Sequence, residues 1–231
     1  MTLLGALLLG FAIVLAIAAG LWGLTAYEQK RVEALEALAA RRGWSLNLTK
    51  QSLGHPSILR LTPKSGPAWQ VEVRHHPGRG GKPGRSVTLF HAPGTTWDDG
   101  LMIIGPSMGA ENAEIAGAIL RQFDNQVARA LLRRVVGQDT GDHIPDLTAW
   151  DQSETHTLFA SSDPALRTDL KDLTKVYADW TPMKSGEAGQ PVMVLNGTGL
   201  RTGLGHGLHN AAKLETFIDY AIRLNRHFSR P

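Results

Sequence analysis

Residues 3–24 read LLGALLLGFAIVLAIAAGLWGL, without one charged or strongly polar side chain. As an α-helix rising ~1.5 Å per residue, such a run extends about 33 Å, close to the hydrocarbon thickness of a bilayer. In lipid the backbone has to satisfy its own hydrogen bonds, which leaves a helix as the conformation. Trp22 and Tyr27 fall at the C-terminal end of the run, where amphipathic rings favour the headgroup level, and Lys30 and Arg31 follow. The sequence therefore predicts a transmembrane helix over 3–24 with those four residues at the membrane interface. A cleaved signal peptide fits less well, because no Lys or Arg precedes the stretch and Ala16-Ile17-Ala18 lies inside it. Lys30, Arg31, Arg41 and Arg42 on the C-terminal flank place the following domain in the cytoplasm by the positive-inside rule.

Residues 25–42 contain no Gly or Pro and are rich in helix formers, so the span is expected to continue as a juxtamembrane stalk ending at Gly43. Val32, Leu35, Leu38 and Ala39 give it a narrow apolar stripe, suited to cover the chain's own domain or a partner helix. From Trp44 the period changes from 3.6 to 2. Residues 44–48, 58–62, 69–74 and 86–92 alternate apolar with polar, and 101–104 is a short apolar strand. Ile115, Ile119, Phe123, Val127 and Leu131 mark a helix over about 112–136. A strand follows over 154–160, and Asp163-Pro164 opens a helix running to about Trp180. A hairpin over 191–202 is expected to turn at Asn196-Gly197, before a last helix over about 211–228. The fold class that results is α+β: a transmembrane helix and stalk, then antiparallel strands packed with about three amphipathic helices. Residues 43–231 form the soluble domain, with two loosely similar halves at 43–137 and 147–231 and no residue-level repeat.

Charge is unevenly divided. Residues 28–92 carry 11 Lys+Arg against 4 Asp+Glu, net +7, and residues 93–231 carry 13 against 17, net −4. Within the basic part, Arg74, Arg79, Lys82 and Arg85 punctuate a stretch rich in Gly and Pro, which reads as a loop between two strands. These four are the candidate binding residues for anionic lipid or an acidic partner surface. The segment has no interleaved aromatics, so nucleic acid is not an expected partner.

Residues that could do chemistry are sparse. The chain has no cysteine, which excludes disulfides, thiol nucleophiles and zinc sites built on Cys. Gly203-Leu204-Gly205-His206-Gly207-Leu208-His209 precedes the last helix, but it lacks the Gly-Lys-Ser/Thr ending of a phosphate loop and the later acid of a dinucleotide fingerprint. His206 and His209 have no second pair of ligands at metal-binding spacing. Asp139, Asp142, His143 and Asp146 lack the calcium-loop pattern, and Trp97-Asp98-Asp99-Gly100 reads as a turn. No Gly-x-Ser-x-Gly elbow occurs. The expectation is therefore no enzyme, with no catalytic residues, metal ligands or cofactor.

The Arg-Arg-Gly-Trp end of the stalk (Arg41–Trp44) and the later Leu158-Phe159-Ala160-Ser161-Ser162-Asp163-Pro164-Ala165 resemble short bacterial single-pass inner-membrane proteins that carry a cytoplasmic α+β domain. The resemblance implies a non-enzymatic protein and supplies no site residues. With the anchor and the charge split, it leads to one expected function. The chain would be a membrane-anchored accessory or assembly protein, a minor subunit of a larger inner-membrane complex, whose partners are membrane lipid and an integral membrane protein. A sensor of anionic lipid or of a soluble ligand through residues 74–85 is the alternative. An enzyme using His206 and His209 is the remoter third.

Overall fold

The computed structural model describes residues 3–49, 56–78, 84–94, 100–108, 147–161, 170–180 and 189–228. Nine strands form one sheet: β1 (Trp44–Thr49), β2 (Ser57–Pro63), β3 (Gln70–His76), β4 (Arg85–Ala92), β5 (Leu101–Pro106), β6 (Thr148–Gln152), β7 (His156–Ala160), β8 (Val192–Asn196) and β9 (Gly199–Leu204). Their order is β1-β2-β3-β4-β9-β8-β5-β7-β6, and every neighbouring pair is antiparallel. The β8–β9 hairpin thus lies between β4 and β5, joining strands from both sides of residues 109–146.

Alternation sets the two faces. One face carries Leu59, Leu61, Val71, Val73, Phe90, Leu195, Met102 and Leu158, all buried. Three helices contribute to the same core: α1 (Leu3–Arg42), α2 (Leu170–Ala178) and α3 (Ala211–Arg226). Leu35, Leu38 and Ala39 come from α1, Leu173 and Tyr177 from α2, and Leu214, Phe217, Ile218, Ala221 and Leu224 from α3. The Trp69 ring meets Trp44 edge-on at 5.2 Å and stacks on Phe90 at 5.9 Å, tying β1 to β4 across the core face. The opposite face differs along the sheet. On β2, β3, β4 and β9 it is half-exposed and polar, whereas Leu101, Ile103, Phe159 and Val194 form a second buried cluster on β5, β7 and β8. Strands buried on both sides lose their alternation, which is why 101–104 reads Leu-Met-Ile-Ile.

Helix ends follow local chemistry. Gly43 takes φ +66°, the left-handed stop that ends α1, and its carbonyl accepts from Lys64 N at 3.1 Å. Asn210 caps α3, its side chain accepting from Lys213 N at 3.1 Å. Arg42 at the end of α1 lies 5.0 Å over the Trp44 ring and pairs with Glu215 and Asp219 of α3, while Arg41 reaches Glu215 at 2.7 Å.

The expected fold class, an α+β fold with a transmembrane helix and a helical stalk, is corrected. The described body is mostly sheet, one nine-stranded antiparallel layer with three helices. Among the described residues no helix is long and apolar enough to cross a membrane, so the single-pass span and inner-membrane location are not supported. The described side chains of α1 begin at Trp22, and from there Glu28, Lys30, Arg31, Glu33, Glu36, Arg41 and Arg42 make it too charged for hydrocarbon. Among the described residues no free-standing stalk occurs: residues 25–42 continue α1 without a break, and Leu35, Leu38 and Ala39 of their apolar stripe are buried in the core, with Val32 half-buried. Two further differences are local. β6 had no signal in the sequence, since it is a short strand with a bulge between Ala149 and Asp151. The β8–β9 turn is centred on Gly197-Thr198, one residue later than expected, because Asn196 Oδ1 accepts from Thr198 N at 3.0 Å and Thr198 Oγ1 at 2.7 Å. The helix expected over 112–136 and the loop with Asp139, Asp142, His143 and Asp146 lie outside the described residues.

Candidate functional site

Glu72 of β3 is opposite Arg60 of β2 in register, on the polar face of the sheet, and is only 5% exposed. Its carboxylate is crowded with donors. Arg60 gives Nε at 3.0 Å and Nη2 at 2.6 Å to Oε1, Gln70 gives Nε2 at 2.6 Å to the same oxygen, and Arg74 gives Nε at 2.6 Å to Oε2. Burial pushes the Glu72 pKa up, but the hydrogen bonds and charges of Arg60 and Arg74 outweigh it and hold the carboxyl below its usual 4.5. The ionised carboxylate fixes two planar guanidinium forks on the sheet surface, where their side chains remain 46% and 43% exposed. Each fork has five N–H donors, so donors remain for an outside acceptor.

The same face continues across β4 and β9. Arg85 begins β4 opposite His76, and Arg201 of β9 is the register partner of His91. Burial lowers the His91 pKa from 6.5 and the Arg201 charge lowers it further, against a hydrogen bond to the Thr198 backbone. Ile58, Val87 and Leu89 are half-buried between these polar groups. Four arginines thus share the face with one carboxylate among the described residues, set among half-buried aliphatic side chains.

On the opposite face, the segment between β9 and α3 is laid across β4. Thr88 Oγ1 donates to the His206 carbonyl at 3.0 Å and accepts from Leu208 N at 2.8 Å. Gly207 passes so close that a Cβ there would lie 2.6 Å from Ser86 Cβ and 2.8 Å from His209 Nε2. In that corner His75 Nδ1 is 2.7 Å from Ser86 Oγ, and Arg31 of α1 pairs with Glu28 at 2.6 Å. Burial lowers the His209 pKa, with Arg31 and His75 adding and Glu28 opposing. The corner closes one end of a groove of about 900 Å³ between α1 and strands β1 to β3.

Ser86 and His75 have the separation of a nucleophile and a base, but among the described residues no carboxylate hydrogen-bonds His75 to orient it, and Glu28 is engaged by Arg31. No group of three or more His, Asp or Glu suited to a metal occurs among the described residues.

Of the residues singled out in the sequence, Arg74 and Arg85 share the polar sheet face, while Arg79 and Lys82 lie outside the described residues. Trp22, Tyr27 and Lys30 are exposed on α1, and Arg31 points its charge at Glu28. His209 reaches the groove, and His206 is half-buried over β4. Arg60, Glu72 and Arg201 were missed. Their alternation with apolar neighbours puts them on a polar strand face, but only the register shows that Arg60 and Arg74 flank one carboxylate. The chain matches no protein-family model, no curated protein and no solved structure.

Proposed function

We propose that this chain is a non-enzymatic binding protein that docks an acidic segment of a partner protein, with Asp or Glu interleaved among aliphatic residues, on the face built by β2, β3, β4 and β9. The observation that carries this reading is the pair of guanidinium groups, Arg60 and Arg74, held in place by the buried Glu72. Oriented Arg forks are matched to carboxylates, and pre-organisation lowers the entropy cost of binding them. Ile58, Val87 and Leu89 between the arginines supply apolar contact of the kind an acidic-aliphatic peptide uses, whereas a nucleic acid would call for stacking aromatics.

The test is titration of the full chain with a labelled peptide of alternating Glu and Leu, repeated on R60Q/E72Q/R74Q. That variant is neutral throughout, so no buried carboxylate is stranded. Binding is expected to weaken about tenfold or more, matching the loss of charge-assisted hydrogen bonds, and to fall as salt is raised. R85Q, outside the Glu72 network, should weaken it less. Equal peptide affinity in the triple variant, or stronger binding of single-stranded RNA or anionic vesicles than of the peptide, would overturn the proposal.

A further inference from the structure

The helix-covered side of the sheet is not covered evenly. Around the docked end of α1, Leu35 and Leu38 close the core, but towards Glu28 the space between helix and strands opens into the groove of about 900 Å³. That volume is in the range of small-molecule sites. Its floor is apolar, made by Leu48, Leu59 and Val73 of the strands and Val32 of α1, and Leu48 is 40% exposed although it lies on the core face. The α1 wall is acidic. Glu28 is answered by Arg31, but Glu33 accepts only a neutral hydrogen bond from Gln29 at 3.0 Å, and Glu36 has no cation partner among the described residues. His75 and His209 close the far end, and among the described lining residues three glutamates, Glu28, Glu33 and Glu36, stand against one arginine, Arg31.

We infer that this groove is a second binding site, independent of the basic face, for a small amphiphile with an apolar body and a positively charged head, such as a long-chain primary amine. The apolar body lies on Leu48, Leu59 and Val73, and the ammonium reaches the carboxylates of Glu33 and Glu36. Charge complementarity selects the head. A carboxylate or phosphate would meet two uncompensated acids at the wall, and a neutral head would leave them unused. The chain as a whole is basic, with net charge +3, so bulk attraction favours anions and the groove alone favours a cation.

Calorimetric titration of the full chain with decylamine, decanoate and decanol, below their aggregation concentrations, tests this. Saturable binding of one decylamine per chain is expected, with decanoate and decanol at least about tenfold weaker. E33Q/E36Q should bring decylamine down to the level of decanol, a change on the exposed side of α1 that leaves the core untouched. V32W, which fills the groove from the helix side, should abolish binding, and L48W does the same from the strand side if V32W does not fold. Decanoate or decanol binding as tightly as the amine, unchanged amine affinity in E33Q/E36Q, or no saturable binding would each overturn the inference.

Discussion

Glu72 is a buried acid that stays ionised because two arginines and a glutamine serve its oxygens, and that arrangement links stability to pH. A carboxyl held below its usual value contributes stability that is complete above pH 4.5 and is lost as the pH falls through its folded value. His91 and His209 are also held low, by burial first, but for a base the consequence starts earlier. The unfolded chain takes up their protons first, so stability drops once the pH falls below 6.5 and levels off when the folded histidines protonate as well. Denaturant midpoints measured across pH should therefore decline in two acid stages, and H91Q/H209Q should remove the earlier stage while leaving the later one. At this scale the sequence was half legible. The Arg74–Arg85 stretch stood out by composition, but Arg60 comes from another strand and Glu72 looked like one acid in a basic segment. Their meeting depends on register, which no local pattern records.

The elements were legible where one side faces water. Strands β2, β3 and β4 alternate because their outer face is solvated, and α3 carries an apolar stripe ended by a capping Asn210. Legibility failed at β6, which is short and bulged, and at the hairpin, where the Asn196 side chain moved the turn by one residue. Gly199 closes that hairpin at φ +135°, and a Cβ there would lie 2.2 Å from the Ala92 carbonyl oxygen. Backbone strain and a clash with backbone both resist substitution, so G199A is expected to cost on the order of 3 kcal/mol in chemical denaturation. Because β9 pairs with β4 at Leu200 and Ala92, the same variant should loosen that seam, read as faster amide exchange in 88–92.

For the molecule as a whole, the N-terminal helix was the most emphatic sequence signal and the one whose meaning changed most. Protein provides burial in the charged stretch after the apolar run of residues 3–24, where the stripe of 25–42 meets the core. Leu35 is 1% exposed and Leu38 3%. Each buried leucine contributes roughly 1.5–3 kcal/mol, against a total domain stability of about 5–15 kcal/mol. A chain starting at Gly43 is therefore expected to give no cooperative thermal transition, and one starting at Glu28 to regain it. If the Gly43 chain melts cooperatively, α1 is an accessory to the fold rather than part of it.

The strand order also has a consequence for synthesis. β4 and β5 are close in sequence but never touch, because the hairpin of residues 192–204 occupies the place between them. Until that hairpin has left the ribosome, each of the two strands has an edge of unpaired amides and carbonyls. The nascent protein is thus two open-edged fragments rather than a growing sheet. β8 and β9 join them, and the interval before they arrive is when another copy, or a chaperone, can pair in their stead.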